Sequence, residues 1–174
     1  MTGGKIQLDA NEYNQTSCGP SIELIYNNDC CTSKSGCLNA LLSGLADFFF
    51  VTIFPDSPTL GEYITERVSG MGFCQLSRNL NSHFTLDKAF DACPTAKGQV
   101  NNLGSAYAQV WWQARKANNA NLVDFDKLFL RHLTQLETSD NFFSLLDKAL
   151  QLDTKEFQSH FSNALKQATQ DHGF

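Results

Sequence analysis

The amino-acid sequence predicts a mainly α, single helical domain with minor N-terminal β structure, stapled by disulfides. Three observations carry this expectation. Apolar residues recur at three- and four-residue steps through the second half, strand-like alternation is almost confined to the first ten residues, and six cysteines are spread between Cys18 and Cys93. With 174 residues the chain can bury one substantial core, and no linker or internal repeat divides it. It is read as one domain over 1–174, with a strand and loop lead-in (1–19), a pair of helices (20–54), an irregular middle (55–98) and a helical lobe (99–174).

The elements follow in order. Lys5 to Asp9 alternates like a short strand, and Asn11 to Gly19 reads as loop. Pro20 suits the first turn of a helix carrying Ile22, Ile25 and Tyr26 on one side. From Cys37 to Phe54 apolar residues fall on all sides of a helical wheel, the pattern of a buried central helix that Pro55 ends. On that reading Leu45→Ala or Phe49→Ala costs about 2–5 kcal/mol through cavity formation. The stretch 59–94 is irregular, with one helical turn expected over 60–68. Helices are expected over 99–116, 122–136, 141–150 and 154–168, with Asp153 capping the last and Glu156 completing a capping box.

Composition narrows the function classes. Charged residues make up 18% of the chain, against roughly 25% in an average soluble domain, and the formal charge is −5. An acidic chain lacks the basic face that nucleic acid or anionic lipid requires. The longest apolar run, Leu38–Phe54, is broken by Asn39, Ser43, Gly44, Asp47 and Thr52, so no membrane span is expected. Met1-Thr2-Gly3-Gly4 leads into polar sequence, so no signal peptide is read, and a longer natural chain stays open.

Cys18, Cys30, Cys31, Cys37, Cys74 and Cys93 sit in polar, Asn-rich surroundings without any Cys-x-x-Cys pair, which favours disulfides and a secreted or periplasmic location over a zinc cluster. Cys74 with Cys93 is the natural pair of the middle region. The other four allow three connectivities, and bonding between adjacent Cys30 and Cys31 is disfavoured by geometry. His83, His132, His160 and His172 have no metal-pair spacing; His132 reads as a buried, hydrogen-bonded core residue, and His160 and His172 as surface positions. No nucleophile elbow or phosphate-cradling glycine loop occurs.

One resemblance covers most of the chain. Asn39-Ala40-Leu41-Leu42-Ser43-Gly44-Leu45-Ala46-Asp47-Phe48-Phe49 resembles the Asn-Glu-Gly-Leu-Ala-Asp-Phe-Phe segment of the gluzincin metallopeptidases, the superfamily of thermolysin and the fungalysins. Gly98-Gln99-Val100-Asn101 is similar to the family's Gly-x-Val-His segment, and the helices after it resemble the family's C-terminal lobe. The resemblance implies that Ser43 stands at the position of the third zinc ligand, Asp47 at that of the carboxylate orienting a zinc-bound His, and Asn101 at that of the catalytic His. The His-Glu-x-x-His helix then falls on Ile22 to Tyr26, which keeps Glu23 and replaces both histidines with Ile22 and Tyr26.

Ile22 offers no lone pair, protonated Tyr26 is a poor ligand and Ser43 a weak neutral one, so neither a metal nor another cofactor is expected. Glu23 then has no metal-bound water to deprotonate. The resemblance therefore implies a non-catalytic pseudopeptidase whose cleft, near Ile22, Glu23, Tyr26, Ser43, Asp47 and Asn101, binds a peptide or protein. Two other classes stay open: a disulfide-stapled helical binding or effector protein unrelated to peptidases, and a fragment of an active zinc metallopeptidase. Ser43 and Gly44 also fit a plainer role, as small residues that let two helices pack closely.

Overall fold

The computed structural model describes residues 31, 33–56, 59–60, 78–92 and 99–174, and these are mainly helical, as the sequence predicts. Helix α1 spans Leu38–Ile53. A two-residue ladder follows, β1 (Thr59–Leu60) antiparallel to β2 (Arg78–Asn79), with Thr59 opposite Asn79 and Leu60 opposite Arg78. Then come α2 (Leu86–Asp91), α3 (Val100–Ala117), a 3₁₀ turn (Asn119–Asn121), α4 (Leu122–Leu133), α5 (Phe142–Glu156) and α6 (Ser162–Asp171). The expected strand over 5–9, the helix from Pro20 and most of the turn over 60–68 lie outside the described residues.

Helix ends follow local chemistry. Cys37 precedes α1 and is bonded to Cys31, with Cα atoms 5.4 Å apart, so a disulfide fixes the chain at the helix entrance. Pro55 stops α1 by excluding Phe54 from helical geometry. Gly36 takes a left-handed φ of +88° against the Phe142 ring, where a side chain would overlap the aromatic. Asn141 and Ser144 cap α5 reciprocally: the Asn141 side chain accepts from the Ser144 amide, and Ser144 Oγ accepts from the Asn141 amide, both at 3.0 Å.

The final helix boundary differs from expectation. α5 runs on through Thr154 and Glu156, and the break comes at Gln158 and Ser159, both left-handed with φ of 56° and 60°. Asp153 is not the N-cap of the last helix: it lies inside α5, and Phe161 holds the cap position without a side-chain cap bond. The buried Asp153 carboxylate accepts from the Phe161 amide at 3.1 Å and from Ser162 Oγ at 2.6 Å. Glu156 completes no box there.

The central helix is α3 rather than α1. Residues 102–112 of α3 are buried without interruption, and this helix packs against α1, α2, α4 and α6. It can be enclosed because Gly104, Ser105, Ala106 and Ala108 are small enough for neighbours to approach from several sides. Phe48 of α1, Trp111 of α3 and Phe129 of α4 close the core, with ring centroids 4.4 Å apart for Phe48–Phe129 and 5.1 Å for Trp111–Phe129.

α1 itself is buried along one side only. Ala40, Leu41, Gly44, Leu45, Asp47, Phe48 and Val51 face inward, whereas Phe49 is 46% and Ile53 55% exposed. The cavity expectation therefore moves. Leu45→Ala should still cost about 2–3 kcal/mol, because Leu45 is enclosed. Phe49→Ala should stay within about 0.5–1 kcal/mol, as surface substitutions do. Urea midpoints of the two variants, compared with the parent, check the contrast.

Candidate functional site

Of the six positions that the resemblance assigns to a cleft, Ser43, Asp47 and Asn101 lie within the described residues, and they stand together at the crossing of α1 and α3. Ser43 Oγ donates to Asn101 Oδ1 at 3.2 Å. One turn further along both helices, Ser105 Oγ donates to Asp47 Oδ2 at 3.4 Å. Both pairs join residues 58 apart in sequence. Ser43 with Asp47, and Asn101 with Ser105, are each four residues apart, so each pair shares one helix face.

Between the two polar contacts the helices touch backbone to backbone. A Cβ added at Gly44 would lie 2.5 Å from the Gly104 carbonyl oxygen, and one added at Gly104 would lie 2.8 Å from the Gly44 nitrogen. Glycine at both positions is what lets Ser43 and Asn101 reach each other. The seam runs inward from a partly exposed rim. Ser43 and Asn101 are half-buried, whereas Asp47 and Ser105 are each 2% exposed. A carboxylate this enclosed is tolerable only with polar company, which Ser105 begins to supply.

Beside the rim lies the apolar strip of α1: Leu42, Phe49, Phe50, Ile53 and, just past the helix, Phe54, with the Phe50 and Phe54 rings 4.9 Å apart. These residues recur at helical spacing on a single face and carry no charge. The sequence reading missed this strip. Its signal was an all-round apolar helix, which looks the same whether one side or both sides find a partner.

Ile22, Glu23 and Tyr26 lie outside the described residues, as do Cys18, Cys30, Cys74 and Cys93. Among the described residues no cysteine is free, since Cys31 and Cys37 are bonded to each other. That bond belongs to one of the three connectivities left open above, whose other two cysteines lie outside the described residues. Also among the described residues, no group of three His, Cys, Asp or Glu side chains is placed to hold a metal ion. No helix there is long and apolar enough to cross a membrane.

The histidines divide differently from expectation. His132 is completely buried, as its place on the apolar side of α4 suggests, with the Trp111 ring 4.7 Å away. Among the described residues neither ring nitrogen has a hydrogen-bond partner, where the sequence suggests a bonded state. The Leu145 backbone faces the imidazole without meeting hydrogen-bond geometry. Burial pushes the His132 pKa down to about 4, against weaker opposing effects of Leu145 and Asp140. His172, expected on the surface, is also completely buried, because the chain end folds back onto the segment before α2.

No family model, curated protein or solved structure matches the chain. The seam and the strip therefore stand on their own chemistry. The described seam offers hydroxyls, an amide and one enclosed carboxylate, a set suited to hydrogen bonding.

Proposed function

We propose that the chain is a non-catalytic domain that binds a peptide or protein along the rim where the Ser43–Asn101 contact meets the apolar strip of α1. The observation that carries this reading is the junction of the two surfaces. A half-buried polar pair offers hydrogen bonds to a peptide backbone, and an uncharged, aromatic-rich helix face offers apolar area for its side chains. The acidic balance of the chain favours a neutral or basic ligand. The Cys31–Cys37 bond favours an oxidising compartment, hence an exported protein.

The finer reading is a degenerate gluzincin-like cleft, with Ile22, Glu23 and Tyr26 completing the site. Its support is that Ser43 and Asn101, assigned to one site by motif alone, touch in space. A second reading, a helical binding protein unrelated to peptidases, is favoured by the Gly44–Gly104 approach, which accounts for the small residues as helix packing. The readings part on one experiment. In a degenerate cleft, the triple variant Ile22→His, Tyr26→His, Ser43→Glu supplies two imidazoles and a carboxylate, with Asp47 at hand to orient one imidazole. Zinc titration by calorimetry should then show binding at least about tenfold tighter than by the parent, with single variants binding little. Equal, negligible binding by the parent and a folded triple variant would remove the peptidase ancestry and leave the binding-protein reading.

A further inference from the structure

The end of α6 is fastened to the segment before α2 by one buried imidazole. The Leu86 amide donates to the His172 carbonyl at 2.7 Å, and His172 Nδ1 lies 2.5 Å from the Phe84 carbonyl oxygen. A carbonyl only accepts, so the neutral ring carries its proton on Nδ1, and Nε2 is the site where acid must add a second. Nε2 is buried and has no hydrogen-bond partner among the described residues. The groups facing the ring are mostly hostile to a second proton. His83, in the loop before α2, places its ring centroid 5.3 Å away, and Lys116 of α3, whose ammonium bonds Asn81, adds a weaker positive charge. Asp171 on α6 is the opposing charge. Two residues on, the Phe174 ring covers Phe142 at 5.3 Å and Tyr107 at 6.0 Å.

We propose that this junction is an acid-sensitive latch: protonation of His172 at Nε2 releases the Phe84–Leu86 segment, with α2, from the end of α6. The closed state would hold a buried imidazolium N–H without an acceptor beside a second imidazole, whereas the open state hydrates the His172 ring. Burial, aided by His83 and Lys116, holds the His172 pKa below its ordinary value, against the Phe84 carbonyl and Asp171. The closed state therefore binds the proton more weakly than the open one, and opening grows as pH falls below the ordinary histidine range.

Amide exchange tests the latch on the intact chain. The Leu86 protection factor, taken relative to the amides of α3 so that global unfolding cancels, should fall severalfold between about pH 7.5 and about pH 5. In His172→Gln, whose side chain can donate to the Phe84 carbonyl but never ionises in this range, the ratio should stay flat. A flat ratio in the parent, or an equal fall in His172→Gln, would overturn the proposal. Should that variant not fold, the parent decides alone: the His172 ring followed by NMR should titrate below 6.5, and titration at or above 6.5 would overturn the latch equally.

Discussion

Gly44→Leu is expected to damage the fold severely, costing about 3 kcal/mol or more, at the top of the range for overpacked cores. A Cβ alone at this position would sit 2.5 Å from the Gly104 oxygen and 3.1 Å from its carbonyl carbon. Both are backbone atoms inside a buried helix, so neither can rotate away. The longer side chain forces α1 off α3, and with it the Ser43–Asn101 and Ser105–Asp47 contacts open. Gly44→Ala should do the same in a smaller measure, about 1–3 kcal/mol. Ala46→Leu, on the exposed side of the same helix, should change stability little. Denaturant midpoints for the three variants give the comparison. Equal stability of Gly44→Leu and the parent would mean that the two helices do not meet here.

The second large effect is on the pH dependence of stability. His132 is buried with both ring nitrogens unpartnered among the described residues, and its pKa lies at about 4 in the folded chain against 6.5 when exposed. Between those values the unfolded chain binds the proton and the folded chain does not, so stability is full above about pH 6.5 and is lost as pH falls towards 4. A difference of this size corresponds to about 3 kcal/mol. Asp140, which faces the same ring, acts in a lower window. Its own burial resists ionisation, but Lys148, the Glu137 amide and Ser144 together hold its carboxyl below the usual range, so it weakens the fold only in stronger acid. Lys148 stays charged throughout, being held above its ordinary value by Asp140. Urea unfolding of the parent and of His132→Leu across this range separates the contributions. The parent should lose about 3 kcal/mol more than the variant between about pH 6.5 and about pH 4. Parallel curves would show that the imidazole is not held neutral by the fold.

The sequence expectations succeeded where periodicity and burial coincide. Val100, Leu103, Tyr107, Val110, Trp111 and Ala114 mark α3 by their three- and four-residue steps, and all but Val100 are buried; the polar and small residues between them are covered as well, which the periodicity does not announce. They failed where burial depends on which neighbour is present. Phe48 and Phe49 are chemically identical, yet one closes the core and the other lies on the surface, since α3 and α4 reach only one side of α1. The α5–α6 boundary was hidden for another reason. Asp153 ends up inside α5 and binds the Phe161 amide eight residues on, across a left-handed turn at Gln158 and Ser159 that no proline or glycine announces. At the candidate site, motif order brought Ser43, Asp47 and Asn101 forward; Ser43 touches Asn101, and Asp47 meets Ser105 one turn along. Gly104 and Ser105, which complete the seam, lie in the same sequence segment as Asn101 but carry no signal until the helices are paired. His172 gives no local sign of burial, because what buries it is the segment around Phe84, 88 residues earlier.

The central claim, that the chain binds a peptide through the rim and apolar strip of α1, is tested most directly by affinity selection on the folded protein. A random-peptide display library is panned against the parent, and the enriched peptides are then titrated against the parent and against the double variant Phe49→Ser, Ile53→Ser. Both replaced side chains are about half exposed, so the variant should fold as the parent does. Enrichment of apolar peptides of neutral or basic charge is expected, with affinity for the variant weaker by about tenfold or more once two apolar contacts are lost. Failure of the parent to enrich any peptide, or equal affinity for parent and variant, would contradict the account.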